Sequence, residues 1–371
     1  MFPAEKNMSA ILQTREEKGA LRKLSVVHGK TDFSSNDYLG FASSPILYSK
    51  VEEKAKAIKA SNGSGGSRLL TGNSAIAENL EKYLAQKHQT EAALLFNSGY
   101  DANVGLFSCI ATKEDTIIYD ELAHASIHDG IRLSKATSFP FRHNDIAHLE
   151  ERIKAAKGNI FVAIESIYSM DGDAAPLKET ASLCNKYNVQ LIVDEAHATG
   201  VFGMGLVQQM HLENKVFARI HTFGKAMGCH GAAVAGSKLL KDYLTNYARS
   251  FIYTTALPMH SLLTIECAYE LLDKSEDTVK KLHDNINYFR QKIKDKKGWI
   301  ESHSAVQSLV VSGNEHVKKV TAVIQSKDID ARPILSPTVP KGKERIRVCL
   351  HSFNTKSEID KLLGIIDNEV N

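Results

Sequence analysis

Between residues 92 and 236 short apolar runs recur, and they constrain the fold more than any other feature of the chain. AALLFN (92–97), DTIIY (115–119), NIFVAIE (159–165), VQLIVD (189–194), FARIHTF (217–223) and AAVAG (232–236) are each of strand length and largely without alternation. A strand apolar on both faces must be covered on both faces. Helix-patterned stretches lie between several of the runs, such as 174–187 with Leu177 and Leu183. This order of elements predicts an α/β fold, a mostly parallel sheet with helices on each side. In such sheets ligands bind beyond the carboxyl ends of the strands. Polar residues directly after the apolar runs are therefore the first candidates for chemistry.

The flanks read differently. Residues 6–24 are expected to form a basic amphipathic helix, 31–40 a turn-rich stretch, and 47–60 and 74–88 two helices separated by the glycine-rich segment 63–72. Beyond 256 the pattern predicts a long helix from Met259 to about Lys296. Short strands at 307–312 and 345–350 and a last helix at 356–369 follow. The expected division is an N-terminal helix and arm over 1–45, packing with a small domain, a large domain over 46–256, and a linker helix with a small α+β domain over 257–371.

Composition removes several classes of function. The chain has 371 residues, 43% hydrophobic and 24% charged, as globular proteins have. Its net charge of +3 comes without a basic stripe, which argues against nucleic acid as partner. The five cysteines are scattered and form no C-x-x-C pair, so neither a disulfide framework nor a zinc knuckle is expected. Met1–Leu12 has no apolar signal core and no run of 18 apolar residues occurs, which points to a cytoplasmic protein without a membrane span.

Several constellations carry possible chemistry, each with a plain alternative. Asp194 ends an apolar run, and His197 follows three residues on; a strand-end carboxylate capping the next turn is the ordinary reading. Lys225 follows another run between Gly224 and Gly228, where desolvation could make it a nucleophile or base, although most lysines are solvated. The two together on successive strands are more specific than either. A carboxylate for a pyridine nitrogen and a lysine for a Schiff base are what pyridoxal phosphate needs. Asn97-Ser98-Gly99-Tyr100, after Phe96, can present backbone N–H groups to a phosphate, but Ser-Gly turns are common. His124 and His128 invite a zinc reading, yet Ala125 stands where the metalloprotease pattern needs Glu, so no metal is expected. Gly63–Gly72 is not a P-loop, lacking the Lys-Ser/Thr, and reads as a flexible loop. Arg345 and Arg347 alternate onto one strand face, as a carboxylate site or as a charged edge.

Taken in order, Asn36-Asp37-Tyr38-Leu39-Gly40, Gly63–Gly72, His124-Ala125-Ser126, Ser169-Met170-Asp171-Gly172-Asp173, Asp194-Glu195-Ala196-His197 and Thr222-Phe223-Gly224-Lys225 resemble the α-oxoamine synthases. These are pyridoxal 5'-phosphate enzymes of the aspartate-aminotransferase fold, fold type I. The resemblance runs from about Arg22 to the last helix and implies a large, mostly parallel seven-stranded sheet domain with a smaller α+β domain. Gly65–Leu69 and Ala196–Val201 resemble the branch that condenses L-alanine with a pimeloyl thioester. Sister activities on other amino acids, a plain aminotransferase and a non-catalytic interaction subunit are the alternatives. The resemblance implies catalytic roles for Lys225, His124, Asp194 and His197. It implies cofactor contacts from Ser169 to the ring hydroxyl and from Ser98, Gly99, Tyr100 and Thr222 to the phosphate. Thr254 and Thr255 would reach the phosphate of a neighbouring subunit, which implies a homodimer. Arg347 and Asn36 would hold the amino-acid carboxylate and Arg22 the acyl substrate, with His143 a further candidate.

Overall fold

The computed structural model describes residues 2–370. The chain divides into two compact units, one of residues 36–169 and 174–280, the other of residues up to 35, 170–173 and 281 onward.

The larger unit holds a seven-stranded sheet. Its strands are β1 (Ala92–Phe96), β2 (Thr116–Asp120), β3 (Thr137–Phe141), β4 (Ile160–Glu165), β5 (Gln190–Asp194), β6 (Ala218–Thr222) and β7 (Ala232–Gly236). They lie in the order β1-β7-β6-β5-β4-β2-β3. Strands β2 to β6 pair in parallel, and β7 runs antiparallel to both its neighbours, β1 and β6. Connection length explains the reversal. The loop 223–231 is too short for a parallel crossover, so β6 and β7 meet as a hairpin. The mostly parallel α/β sheet expected from the apolar runs is therefore present. Strand β3 is absent from that pattern because it is a partly exposed edge strand, where Pro140 is tolerated.

Alternate strand residues feed two cores. Ile117, Phe161, Ile192 and Ile220 pack with Leu106, Phe107, Ile127 and Leu244 on one face. Ile118, Val162, Leu191 and Val193 pack with Leu149, Ile153, Leu177 and Ala181 on the other. Each of these side chains larger than alanine contributes about 1.5–3 kcal/mol by leaving water. With both faces covered, the carboxyl ends of the strands are the place for polar groups. Asp120, Glu165, Asp194 and Thr222 stand there, closing β2, β4, β5 and β6.

Two expectations need correction in this unit. The helix from 259 to 296 is two helices, Met259–Leu272 and Glu276–Ile293, because Asp273-Lys274-Ser275 interrupts the apolar pattern and Glu276 and Asp277 suit a new helix N-terminus. Met259–Leu272 packs on Pro45–Ala57 and Ala75–Lys87. The larger unit includes Met259–Leu272 and runs to Lys280. The Gly63–Gly72 segment is also anchored rather than loose: Arg68 pairs at 2.8 Å with Glu81, which is buried, and the Ala256 N–H donates to the Gly66 carbonyl at 2.9 Å.

The smaller unit has an antiparallel sheet of β8 (Val306–Val310), β9 (Arg332–Ile334) and β10 (Arg345–Cys349) in the order β9-β10-β8. Helices Asn314–Ser326 and Lys356–Val370 pack together, burying Val317, Ile324, Ile359 and Ile366. The first helix spans Pro3–Glu17, shorter than the expected 6–24. Gly19, at φ 61°, ends it, with the N–H groups of Gly19 and Ala20 bonding back to the carbonyls of Glu16 and Arg15. Residues 170–173 belong here: Ser308 Oγ donates to the Met170 carbonyl at 2.6 Å, and a Cβ on Gly172 would meet the Val306 carbonyl oxygen at 2.0 Å.

Candidate active site

The carboxyl end of β5 places Asp194 among buried neighbours, and both of its oxygens are held. Oδ1 accepts the Ala196 N–H at 2.9 Å and Oδ2 accepts from Asn103 Nδ2 at 2.8 Å. Asn103 comes from the helix Gly99–Cys109, packed against the same strands. Its amide also donates to Ser126 Oγ at 3.0 Å.

Ser126 continues the chain to His124. His124 caps the helix Ala125–Leu133, with Nδ1 accepting the Ser126 N–H at 3.2 Å and lying 2.7 Å from Ser126 Oγ. An Nδ1 that accepts a backbone N–H leaves the ring proton on Nε2 in the neutral tautomer, an assignment from the hydrogen bonds. Desolvation lowers the His124 pKa, with Lys225 and His128 adding to the effect and Asp194 opposing it. The neutral imidazole is favoured as a result.

Lys225 sits half-buried in the loop between β6 and β7. The loop is tight: the Phe223 N–H donates to the Gly231 carbonyl at 2.9 Å, Cys229 N–H to Phe223 at 2.8 Å and Gly228 N–H to Lys225 at 2.9 Å. Gly228 has φ 62°, and a Cβ there would meet the Ala42 nitrogen at 2.2 Å. The charge of Lys225 is felt by both His124 and Glu165.

Thr222, the last residue of β6, faces the start of the helix Gly99–Cys109. A Cβ on Gly99 would lie 3.0 Å from Thr222 Oγ1, so glycine keeps this gap open. The first N–H groups of a helix have no intrahelical partner, which makes the gap suited to an anion. Ser98 lies at the cap itself: its Oγ accepts the Asp101 N–H at 3.1 Å and donates to Asp101 Oδ2 at 2.8 Å. The exposed Tyr100 hydroxyl donates to Asp129 Oδ2 at 2.6 Å.

His197 is buried, with Nδ1 2.8 Å from Tyr38 Oη, and Tyr38 donates to Asn36 Oδ1 at 3.0 Å. Ser169 is buried just beyond β4. Thr254 Oγ1 and the Thr255 carbonyl each accept from Asn97 Nδ2 at 2.9 Å. His143 Nδ1 lies 2.9 Å from Asp120 Oδ1 at the end of β2. In the smaller unit, Arg22 is exposed and donates to Thr338 Oγ1 at 3.2 Å. Arg347 is half-buried on β10 opposite Arg332 and Ser308. Arg345, two residues before it on the same strand, is buried against Asp171 in an ion pair.

Three further groups belong to this cluster. Asn103 and Tyr38 orient Asp194 and His197. Glu165 is in register with Asp194 on the adjacent strand. Burial holds its carboxyl well above the usual carboxylate range, Asp194 and Asp120 adding to the effect while Lys225 and the His124 N–H oppose it. Its Oε1 has no hydrogen-bond partner among the described residues. Glu165 ends an apolar run as Asp194 does, and that signal could have found it.

The profile of the aminotransferase class I and II family matches residues 28–366. The 8-amino-7-oxononanoate synthase of Emericella nidulans is 45% identical over 385 residues, covering 96% of this chain and 93% of that one. The enzyme of the same name from Lysinibacillus sphaericus is 36% identical, covering 96% of this chain and 95% of its own. Among solved structures, a serine palmitoyltransferase from S. paucimobilis with bound PLP and myriocin matches with a TM-score of 0.89 at 25% identity, over 100% of this chain and 98% of that chain. The 8-amino-7-oxononanoate synthase from Francisella tularensis matches with a TM-score of 0.80 at 27% identity, over 93% of this chain and 98% of that chain.

Proposed function

The chain belongs to the aminotransferase class I and II family, and from that premise we propose that it acts as an 8-amino-7-oxononanoate synthase. The reaction is the condensation of L-alanine with a pimeloyl thioester, on coenzyme A or an acyl carrier protein, with release of CO2 and the free thiol, a step of biotin biosynthesis. The observation that carries the reading is the 45% identity to an enzyme of that name across 96% of the chain. We further read the protein as a cytoplasmic homodimer.

The residues present fit pyridoxal 5'-phosphate. A buried carboxylate with both oxygens fixed (Asp194), a lysine in a tight loop after the next strand (Lys225) and a glycine-lined gap at a helix start (Gly99 with Thr222) are the three contacts such a group requires. When bound, it supplies an electron sink for the charge that develops at the Cα of alanine. Asp194 keeps the ring nitrogen protonated, and Asn103 and the Ala196 N–H hold that carboxylate in one orientation. Ser98, Gly99, Tyr100 and Thr222 grip the phosphate, mainly through N–H groups at the helix start, because the Ser98 hydroxyl is engaged in its cap. Thr254 and Thr255 serve the phosphate of the neighbouring subunit.

Lys225 anchors the cofactor and then moves the proton at alanine Cα. His197, oriented through Nδ1 by Tyr38, and Ser169 hydrogen-bond the ring hydroxyl oxygen. His124 would hold the ring, and its neutral form would offer Nε2–H to the substrate carboxylate. Asn36 and Arg347 are assigned to the same carboxylate, and Arg22 to the acyl thioester, on family resemblance. The direct test is Lys225→Ala. The variant loaded with pyridoxal phosphate is expected to lack the absorbance near the visible edge that the wild type shows, and to release no thiol from pimeloyl thioester and alanine. Thiol release at the wild-type rate overturns the assignment.

A further inference from the structure

Asp120 and His143 are used by none of these roles. Asp120 is fully buried at the carboxyl end of β2, and three donors reach it. The Leu122 N–H and His143 Nδ1 each lie 2.9 Å from Oδ1, and the Asn144 N–H lies 3.0 Å from Oδ2. The first donor belongs to the turn that carries His124. The other two come from the segment His143-Asn144-Asp145, between β3 and the helix Ile146–Ala155.

The members of that segment do different things. Asp145 caps the helix, its Oδ1 accepting the His148 N–H at 2.9 Å. Asn144 makes the turn, at φ 55°, a conformation that asparagine tolerates. Its Nδ2 reaches the Ala174 carbonyl at 3.3 Å and His143 Nε2 at 3.2 Å. Neither the cap nor the turn needs an imidazole at 143. The ring instead stands edge-on to Tyr168, with centroids 4.5 Å apart at 87°. Tyr168 is buried and immediately precedes Ser169. His143 thus touches the turn after β2, through Asp120, and the turn after β4, through Tyr168.

We propose that His143, paired with Asp120, is a positioning residue that sets the turn of His124 against the turn of Ser169, the two turns whose residues would hold the cofactor ring. The proposal rests on the cofactor reading above. The contacts with Asp120 and with Tyr168 can be separated. An asparagine at 143 places an amide nitrogen close to where Nδ1 stands and keeps the donor to Asp120 while losing the ring. A phenylalanine keeps the ring against Tyr168 and loses the donor.

The experiment compares wild type, His143→Ala, His143→Asn and His143→Phe. It measures pyridoxal phosphate binding to the apoprotein, the pH dependence of the holoenzyme's visible absorbance, kcat and KM for alanine, and the unfolding midpoint of the apoprotein. His143→Ala is expected to weaken cofactor binding and lower kcat, each about tenfold, and to move the pH at which the absorbance changes. His143→Asn and His143→Phe are each expected to recover part of both effects. Loss of apoprotein stability with cofactor binding, absorbance profile and kcat unchanged would show a purely structural residue and overturn the proposal. A wild type that binds no pyridoxal phosphate overturns the functional reading, and the proposal with it.

Discussion

Asn103 donates to Asp194 Oδ2 at 2.8 Å, and the same amide nitrogen lies 3.0 Å from Ser126 Oγ, so one side chain joins the carboxylate to the turn that holds His124. Hydrogen bonds to charged groups contribute about 1.5–3 kcal/mol. Asn103→Leu is expected to keep the helix packing and release Asp194 from its anchor. Turnover should fall by one to two orders of magnitude with weaker cofactor binding, read from kcat and a pyridoxal phosphate titration. Wild-type values for both would show that the Ala196 N–H alone suffices.

Gly99→Ala separates stability from binding. Alanine favours a helix more than glycine does, so the apoprotein is expected to unfold at an equal or higher temperature. The added methyl would stand 3.0 Å from Thr222 Oγ1 and narrow the anion gap. Affinity for pyridoxal phosphate, followed by absorbance titration, should fall at least about tenfold, at a cost of about 1.4 kcal/mol. Unchanged affinity would move the phosphate site elsewhere.

The Arg68–Glu81 ion pair is expected to matter for stability rather than chemistry. Glu81 is buried, also pairs with Lys241 at 2.7 Å and accepts the Leu95 N–H at 3.1 Å. Removing one partner of a buried pair costs about 3–5 kcal/mol. Because Lys241 remains, Arg68→Ala should fall at the lower end of that range, measured by urea unfolding.

His88 and His221 predict an acid limit. Both are fully buried and stacked, with centroids 3.7 Å apart. Burial and the Arg219 guanidinium push His88 down to about 3. Burial, then His88 and Arg219, hold His221 well below its ordinary value. The unfolded chain protonates both as pH falls through about 6.5, while the native state does not. The unfolded state then binds more protons, so stability falls with pH below about 6.5 and is fully present above it. For His88 the loss by pH 5 is about 2 kcal/mol. His221→Val should flatten the fall in urea midpoint between pH 7 and 5; an unchanged slope would show that this histidine does not set the acid limit.

What could be read from the sequence follows from where each signal lies. Asp194 and Lys225 are legible because a polar residue after an apolar run marks a strand end, and the strand order puts β5 beside β6. Asn103 and Tyr38 carry no such mark: one lies within a helix and the other in a turn, and only the tertiary fold brings them to Asp194 and His197. Strand β3 escapes a reading based on apolar runs because an edge strand buries less. The anchoring of Gly63–Gly72 depends on Glu81, whose burial is a property of the packed helix Ala75–Lys87 and not of its local sequence.

Thiol release reports the condensation of alanine with pimeloyl thioester itself. Holoenzyme is mixed with alanine, glycine or serine and with pimeloyl, acetyl or succinyl thioesters, and free thiol is followed spectrophotometrically. Rapid release is expected with alanine and pimeloyl thioester, one CO2 formed per thiol. Turnover of glycine with acetyl thioester, with none of alanine and pimeloyl thioester, would contradict the proposed reaction.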